Sequence, residues 1–163
     1  MNGGGIFMGV KMTVKGLEEY IQKLEKLGDK GKEMARRSLY EGAGVMADRI
    51  KSSINNIPTR SEESNPKSTG MQSGITPTQK QGLTDGFGIT KMITTSTGVN
   101  VRIGFAGKNA DGKSNASVAA AAESGRSWVQ PTHFFSQAVN SSTGAAQSAM
   151  QQEFDKQIRQ VMP

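Results

Sequence analysis

From Val99 to Phe105 the chain alternates without a break. Val99, Val101, Ile103 and Phe105 share one parity; Asn100, Arg102 and Gly104 take the other. A period of two suits an extended strand with one face buried and one face wet. Such a strand needs neighbours. Phe87, Ile89 and Ile93 lie just upstream on a single parity, and the link TSTG at 95–98 reads as a hairpin turn. Near the start, Val10, Met12 and Val14 alternate with lysine and threonine and give a third short strand.

The remaining apolar residues follow the helical period. In GLEEYIQKLEKLG, Leu17, Ile21, Leu24 and Leu27 fall on one face, and Gly28 ends the helix. Asp29 can cap a second, longer helix whose stripe is Leu39, Ala43, Met46 or Ala47, Ile50 and Ile54, stopped by Asn55 and Pro58. SVAAAAE predicts a short helix with Ser117 as its cap, ending at Ser124 and Gly125. Thr132 can cap a last helix toward Val161, striped by Phe135, Val139, Ala146, Phe154 and Ile158, with a bend or break expected at Gly144.

The order predicts an α+β fold: a small antiparallel sheet, from the N-terminal strand and the hairpin, packed by two N-terminal helices and a long C-terminal helix. Residues 1–9 are expected to be a flexible lead, with Met1, Met8 and Met12 all open as starts. Residues 10–163 are expected to form a single domain. Within it, 55–82 is poor in large apolar residues and rich in Ser, Thr, Pro, Gly and Gln. It reads as a flexible insertion that orders on a partner.

Composition removes several kinds of chemistry. With no cysteine there is no thiolate site, and a single histidine is too few for a histidine-based metal cluster. No run approaches the roughly 20 apolar residues of a membrane helix. The N-terminus has no basic start followed by a long apolar stretch, so secretion is not indicated. A formal net charge of +6 permits an acidic partner or nucleic acid without choosing between them.

The stretch GKNADGKS, Gly107 to Ser114, has the spacing of a phosphate-binding loop. That chemistry needs a strand before it, a helix beginning at its Lys-Ser, and a second strand ending in an aspartate for Mg²⁺. No apolar strand ending in aspartate follows; Asp155 lies in the last helix. Asn109, Asp111 and Gly112 are turn formers, and a plain loop is the expected reading, with Lys113 as the residue that tests it. His133, beside Pro131 and two phenylalanines, is expected to cap or pack at a helix start, and no G-x-S-x-G pattern accompanies it. No catalytic residue, metal or cofactor is expected. RSWVQP differs: Trp128 stands between helices, where a large aromatic either plugs the core or meets a partner. Arg126, Trp128, Val129 and Gln130 are the expected partner contacts.

Taken in order, these pieces resemble one family. The opening VKGLEEYIQKLEKLGDKGKEMARRSLYEGAGVMADRIK, the element at Gln81-Gly82-Leu83-Thr84, the strand VNVRIGF and the segment ESGRSWVQPTHFFSQAV are similar to the gene-ten-like neck and tail-completion proteins of lambda-like, long-tailed bacteriophages. Glu123, Gly125, Pro131, Phe134, Phe135 and Ala138 occupy the corresponding places in the last segment. AAAA precedes Glu123 where an aromatic or valine is common, and Gln137 replaces a usual proline. The resemblance implies a virion structural protein with no catalysis, made in the host cytoplasm and placed at the neck, at the top of the tail. It implies a ring of its own copies, six-fold in symmetry, touching tail terminator or tail tube proteins and head-completion or connector proteins. Genome DNA would pass through the lumen. A basic nucleic-acid-binding protein is the alternative.

Overall fold

The computed structural model describes residues 8–13, 25–63, 73–95 and 98–161. It is an α+β fold with a small four-stranded antiparallel sheet. The strands are β1 (Gly9–Thr13), β2 (Phe87–Ile89), β3 (Ile93–Thr95) and β4 (Gly98–Phe105). The named helices among the described residues are α1 (Asp29–Asn55), α2 (Pro77–Gly86), α3 (Asn115–Ser124) and α4 (Phe134–Val161). β4 lies between β1 and β2, and β3 pairs antiparallel with β4, Thr94 opposite Val99.

The strand that alternates in sequence is the one that buries a face: Val101 and Ile103 are fully buried and Phe105 is nearly so. The stripe of α1 is buried as its period requires, with Leu39, Ala43, Ile50 and Ile54 all at 0% exposure. Most of the expected first helix lies outside the described residues. Its end is present: residues 25–27 are helical and Gly28 takes a φ of 59°, the left-handed conformation that ends a helix at little cost.

Three expectations need correction. The short helix starts at Asn115, not after Ser117; Ser114 is its cap and accepts from the Ser117 amide at 3.4 Å. α4 does not break at Gly144 but runs as one helix from Phe134 to Val161. The polar stretch expected to be a loop as far as 82 contains α2 from Pro77 onward. A capping box starts that helix: the Thr76 hydroxyl accepts from the Gln79 amide at 3.2 Å and the Gln79 side chain accepts from the Thr76 amide at 3.1 Å.

The chain divides into two compact units. One comprises residues 1–10, 48–88 and 104–141. Its core holds Ile54, Ile75, Leu83, Val118 and Val129, with a cluster in which Phe105 meets Phe87, Phe134 and Phe135 at centroid distances of 5.3, 6.2 and 6.1 Å. The other comprises residues 11–47, 89–103 and 142–163. There Leu39, Val101, Ile103 and Phe154 are buried, and the Tyr40 hydroxyl accepts from the Met92 amide at 3.1 Å.

Candidate interaction surface

The segment after α3 is shaped by backbone before any side chain acts. Gly125 takes a φ of 77°, and a Cβ there would stand 2.9 Å from Pro131 Cδ. A glycine lets the chain reverse and lie against Pro131. The return is tight. The Arg126 amide donates to the Val129 carbonyl at 2.9 Å and the Val129 amide donates back to Arg126 at 3.2 Å. Ser127 and Trp128 therefore form the tip of a two-residue turn.

The turn is fixed from behind. Thr132 donates twice to the Ala122 carbonyl, through its amide and its hydroxyl, each at 2.8 Å. The His133 amide donates to the Glu123 carbonyl at 3.1 Å. The Glu123 carboxylate then accepts from the amides of Phe135 and Ser136 at 2.8 and 3.2 Å. A negative group thus satisfies two of the open amides at the start of α4, where the helix dipole also favours it. His133 precedes that helix with a φ of 52°, an uncommon conformation for a non-glycine residue, and is exposed.

The four residues expected at a partner contact divide. Val129 is fully buried and anchors the turn in the chain's own core. Arg126 and Gln130 are exposed, and Trp128 is partly exposed. The Arg126 guanidinium donates to the Gly125 carbonyl at 2.9 Å. The Arg60 guanidinium carbon stands 5.8 Å from the Trp128 ring centroid, within cation–π range. Sequence reasoning missed Arg60, because nothing local links the start of a polar stretch to a distant tryptophan.

Arg60 is held by the neck of that stretch. Its amide donates to the Ile75 carbonyl at 2.9 Å, and the Ile75 amide donates to Pro58 at 3.0 Å. Two side chains tie the flanking helices. Lys80 Nζ donates to the carbonyls of Asn55 and Ile57, at 2.7 and 2.9 Å, at the end of α1. The Glu62 carboxylate accepts from the Thr78 amide at 2.6 Å, in the first turn of α2. Hydrogen bonding to Thr78 holds the Glu62 carboxyl below its ordinary 4.5.

GKNADGKS is a closed loop. The Asn109 amide donates to the Lys113 carbonyl and the Gly112 amide donates to Asn109, both at 2.9 Å. Asn109 Oδ1 accepts from the amides of Asp111 and Lys113, both at 3.0 Å. A phosphate cradle needs its amides turned toward the ligand; these four are committed to the loop itself. Beneath it, Asn115 Nδ2 donates to the Ala106 carbonyl at 2.9 Å, and Gly82 of α2 packs so closely that a Cβ would stand 2.5 Å from that of Asn109. Among the described residues no group of His, Cys, Asp or Glu could hold a metal ion, and no helix is long and apolar enough to cross a membrane.

The family model described as "Bacteriophage HK97-gp10, putative tail-component" matches residues 18–125. The chain belongs to this family. It is therefore a structural component of a phage virion, from the tail region, and works among other tail and virion proteins. The matched span includes α1, the sheet from β2 onward, α3 and Glu123–Gly125, and stops short of Pro131–Ala138. No curated protein and no solved structure matches the chain.

Proposed function

We propose that this tail component acts at the head-proximal end of the tail, as a neck or tail-completion protein that assembles into a ring of its own copies and joins the tail to the head-side connector. The observation that carries the reading is the tail-component family match over residues 18–125. The order of motifs from Val10 through Ala138 adds the neck assignment, and a six-fold ring follows from it. Closed rings need heterologous contacts, one patch meeting a different patch on the next copy. Tail terminator or tail tube proteins lie on one side of the ring, head-completion or connector proteins on the other, and genome DNA passes through the lumen.

Electron microscopy of particles made without this gene tests the reading. Separate filled heads and finished-looking tails, joined again when the wild-type gene is restored, are expected. Intact infectious particles from the deletion would remove it.

A further inference from the structure

We propose that the Arg126–Trp128 turn is a docking point for an acidic segment of a different virion protein, one that places a carboxylate on Arg126 and an apolar side chain on the open part of the Trp128 ring. The inference rests on the chain being a virion component and names the chemistry of its partner. Three observations carry it. First, the turn is pre-formed. Bonds between Arg126 and Val129 close it, Val129 is fully buried beneath it, and Gly125 packed on Pro131 holds its base. A surface already fixed loses little conformational entropy when a partner arrives. Second, the residues are those that anchor interfaces. Trp128 is partly exposed although the adjoining Val129 is fully buried, and Trp and Arg are enriched in binding hot spots. Third, the only charged residue in the turn itself, Gly125 to Gln130, is the cation Arg126. Arg126 is exposed, its hydrogen bond goes to the neutral Gly125 carbonyl, and among the described residues no carboxylate forms an ion pair with it. A guanidinium fork matches a carboxylate with two parallel donors.

The alternatives fit less well. A second copy carries the same net charge of +6, so an acidic segment of another protein complements the exposed Arg126 better at this turn. Single-stranded nucleic acid binds by stacking successive bases on aromatic faces. Trp128 is the only tryptophan, and Arg60 already stands over its ring at 5.8 Å.

That single tryptophan makes the test direct, because the intrinsic emission of the full chain reports on Trp128 alone. The probes are a blocked pentapeptide with leucine between two pairs of glutamates, its counterpart with lysines in place of the glutamates, and a short oligothymidylate. The expected result is a saturable blue shift with the acidic peptide and none with the basic one. Apparent affinity is expected to drop by about tenfold or more between about 30 mM and about 300 mM salt, and by a similar factor in Arg126→Glu and Arg126→Gln. Circular dichroism confirms that both variants are folded. An unchanged spectrum in low salt, or equal affinity in both variants, would overturn the proposal. An equal shift with oligothymidylate would assign the surface to nucleic acid instead, and a blue shift on raising the chain's own concentration would assign it to a second copy. The titration contains no particles, so its failure leaves the tail-end reading to be decided by microscopy.

Discussion

Glu123 holds the start of α4 through Phe135: its carboxylate accepts the Phe135 amide at 2.8 Å while its other oxygen accepts from Ser136 at 3.2 Å. A residue in the last turn of one helix therefore caps the next, and the Trp128 turn is strung between them. Glu123→Ala leaves both amides without this partner and is expected to cost about 2 kcal/mol, the range for lost caps and charged hydrogen bonds. Glu123→Gln keeps one acceptor and is expected to cost about half as much. Thermal unfolding of both variants measures this; equal stability to wild type would show that water replaces the carboxylate without penalty.

Two glycines separate packing from propensity. A Cβ at Gly82 would lie 2.5 Å from Asn109 Cβ and 2.6 Å from Asn115 Oδ1, groups locked by their own hydrogen bonds. Gly82→Ala is expected to destabilise by about 2 kcal/mol even though alanine favours the helix. At Gly144 in α4 nothing lies within 4 Å of the same added atom. Gly144→Ala is expected to stabilise by about 1 kcal/mol. Denaturant midpoints of the two variants should move in opposite directions.

The same residues mark what the sequence makes legible. The stripe from Leu39 to Ile54 and the alternation from Val99 to Phe105 were readable because burial there follows the period of one element. α2 was hidden because it packs through Gly82 and a buried Gln79 and offers one large apolar residue, Leu83. Ser114 and Ser117 are equally good caps by type; the long-range bond from Asn115 to the Ala106 carbonyl favours the earlier start. The break expected at Gly144 fails because Ser142 and Ala146, on either side of it, are buried and hold the helix through that point. At the surface, residue type left Trp128 as either a core plug or a partner contact, and the structure leaves it partly exposed. Its partner Arg60 and the inward role of Val129 were not legible, since both depend on contacts between distant segments.

Lys113 is expected to be dispensable. In GKNADGKS the lysine side chain is exposed, while Asn109 accepts the amides that close the loop. Lys113→Ala should change stability by less than about 0.5 kcal/mol, as surface substitutions do. Asn109→Ala should cost about 1–2 kcal/mol, because two backbone donors lose their acceptor. Isothermal titration with Mg²⁺-ATP should show no binding by either the wild type or Lys113→Ala. Binding lost only in the variant would restore the phosphate-loop reading.

Glu62 supplies the pH dependence. Its carboxyl is held below the ordinary 4.5 by the hydrogen bond from Thr78, so the folded chain binds this proton less readily than the unfolded one. The sign follows: the contribution is fully present above the unfolded value and is lost as pH falls through the lower, folded value. The stretch affected is the first turn of α2, where Thr76 and Gln79 still cap the helix after Glu62 is protonated. Loss of the Glu62 bond therefore loosens that turn without unfolding the helix. In an NMR titration, the Glu62 carboxyl and the Thr78 amide are expected to move together with a midpoint below 4.5. In Glu62→Gln the Thr78 amide should no longer titrate there, while amides elsewhere in α2 keep their protection. A midpoint at or above the ordinary value would mean that the bond does not persist in solution.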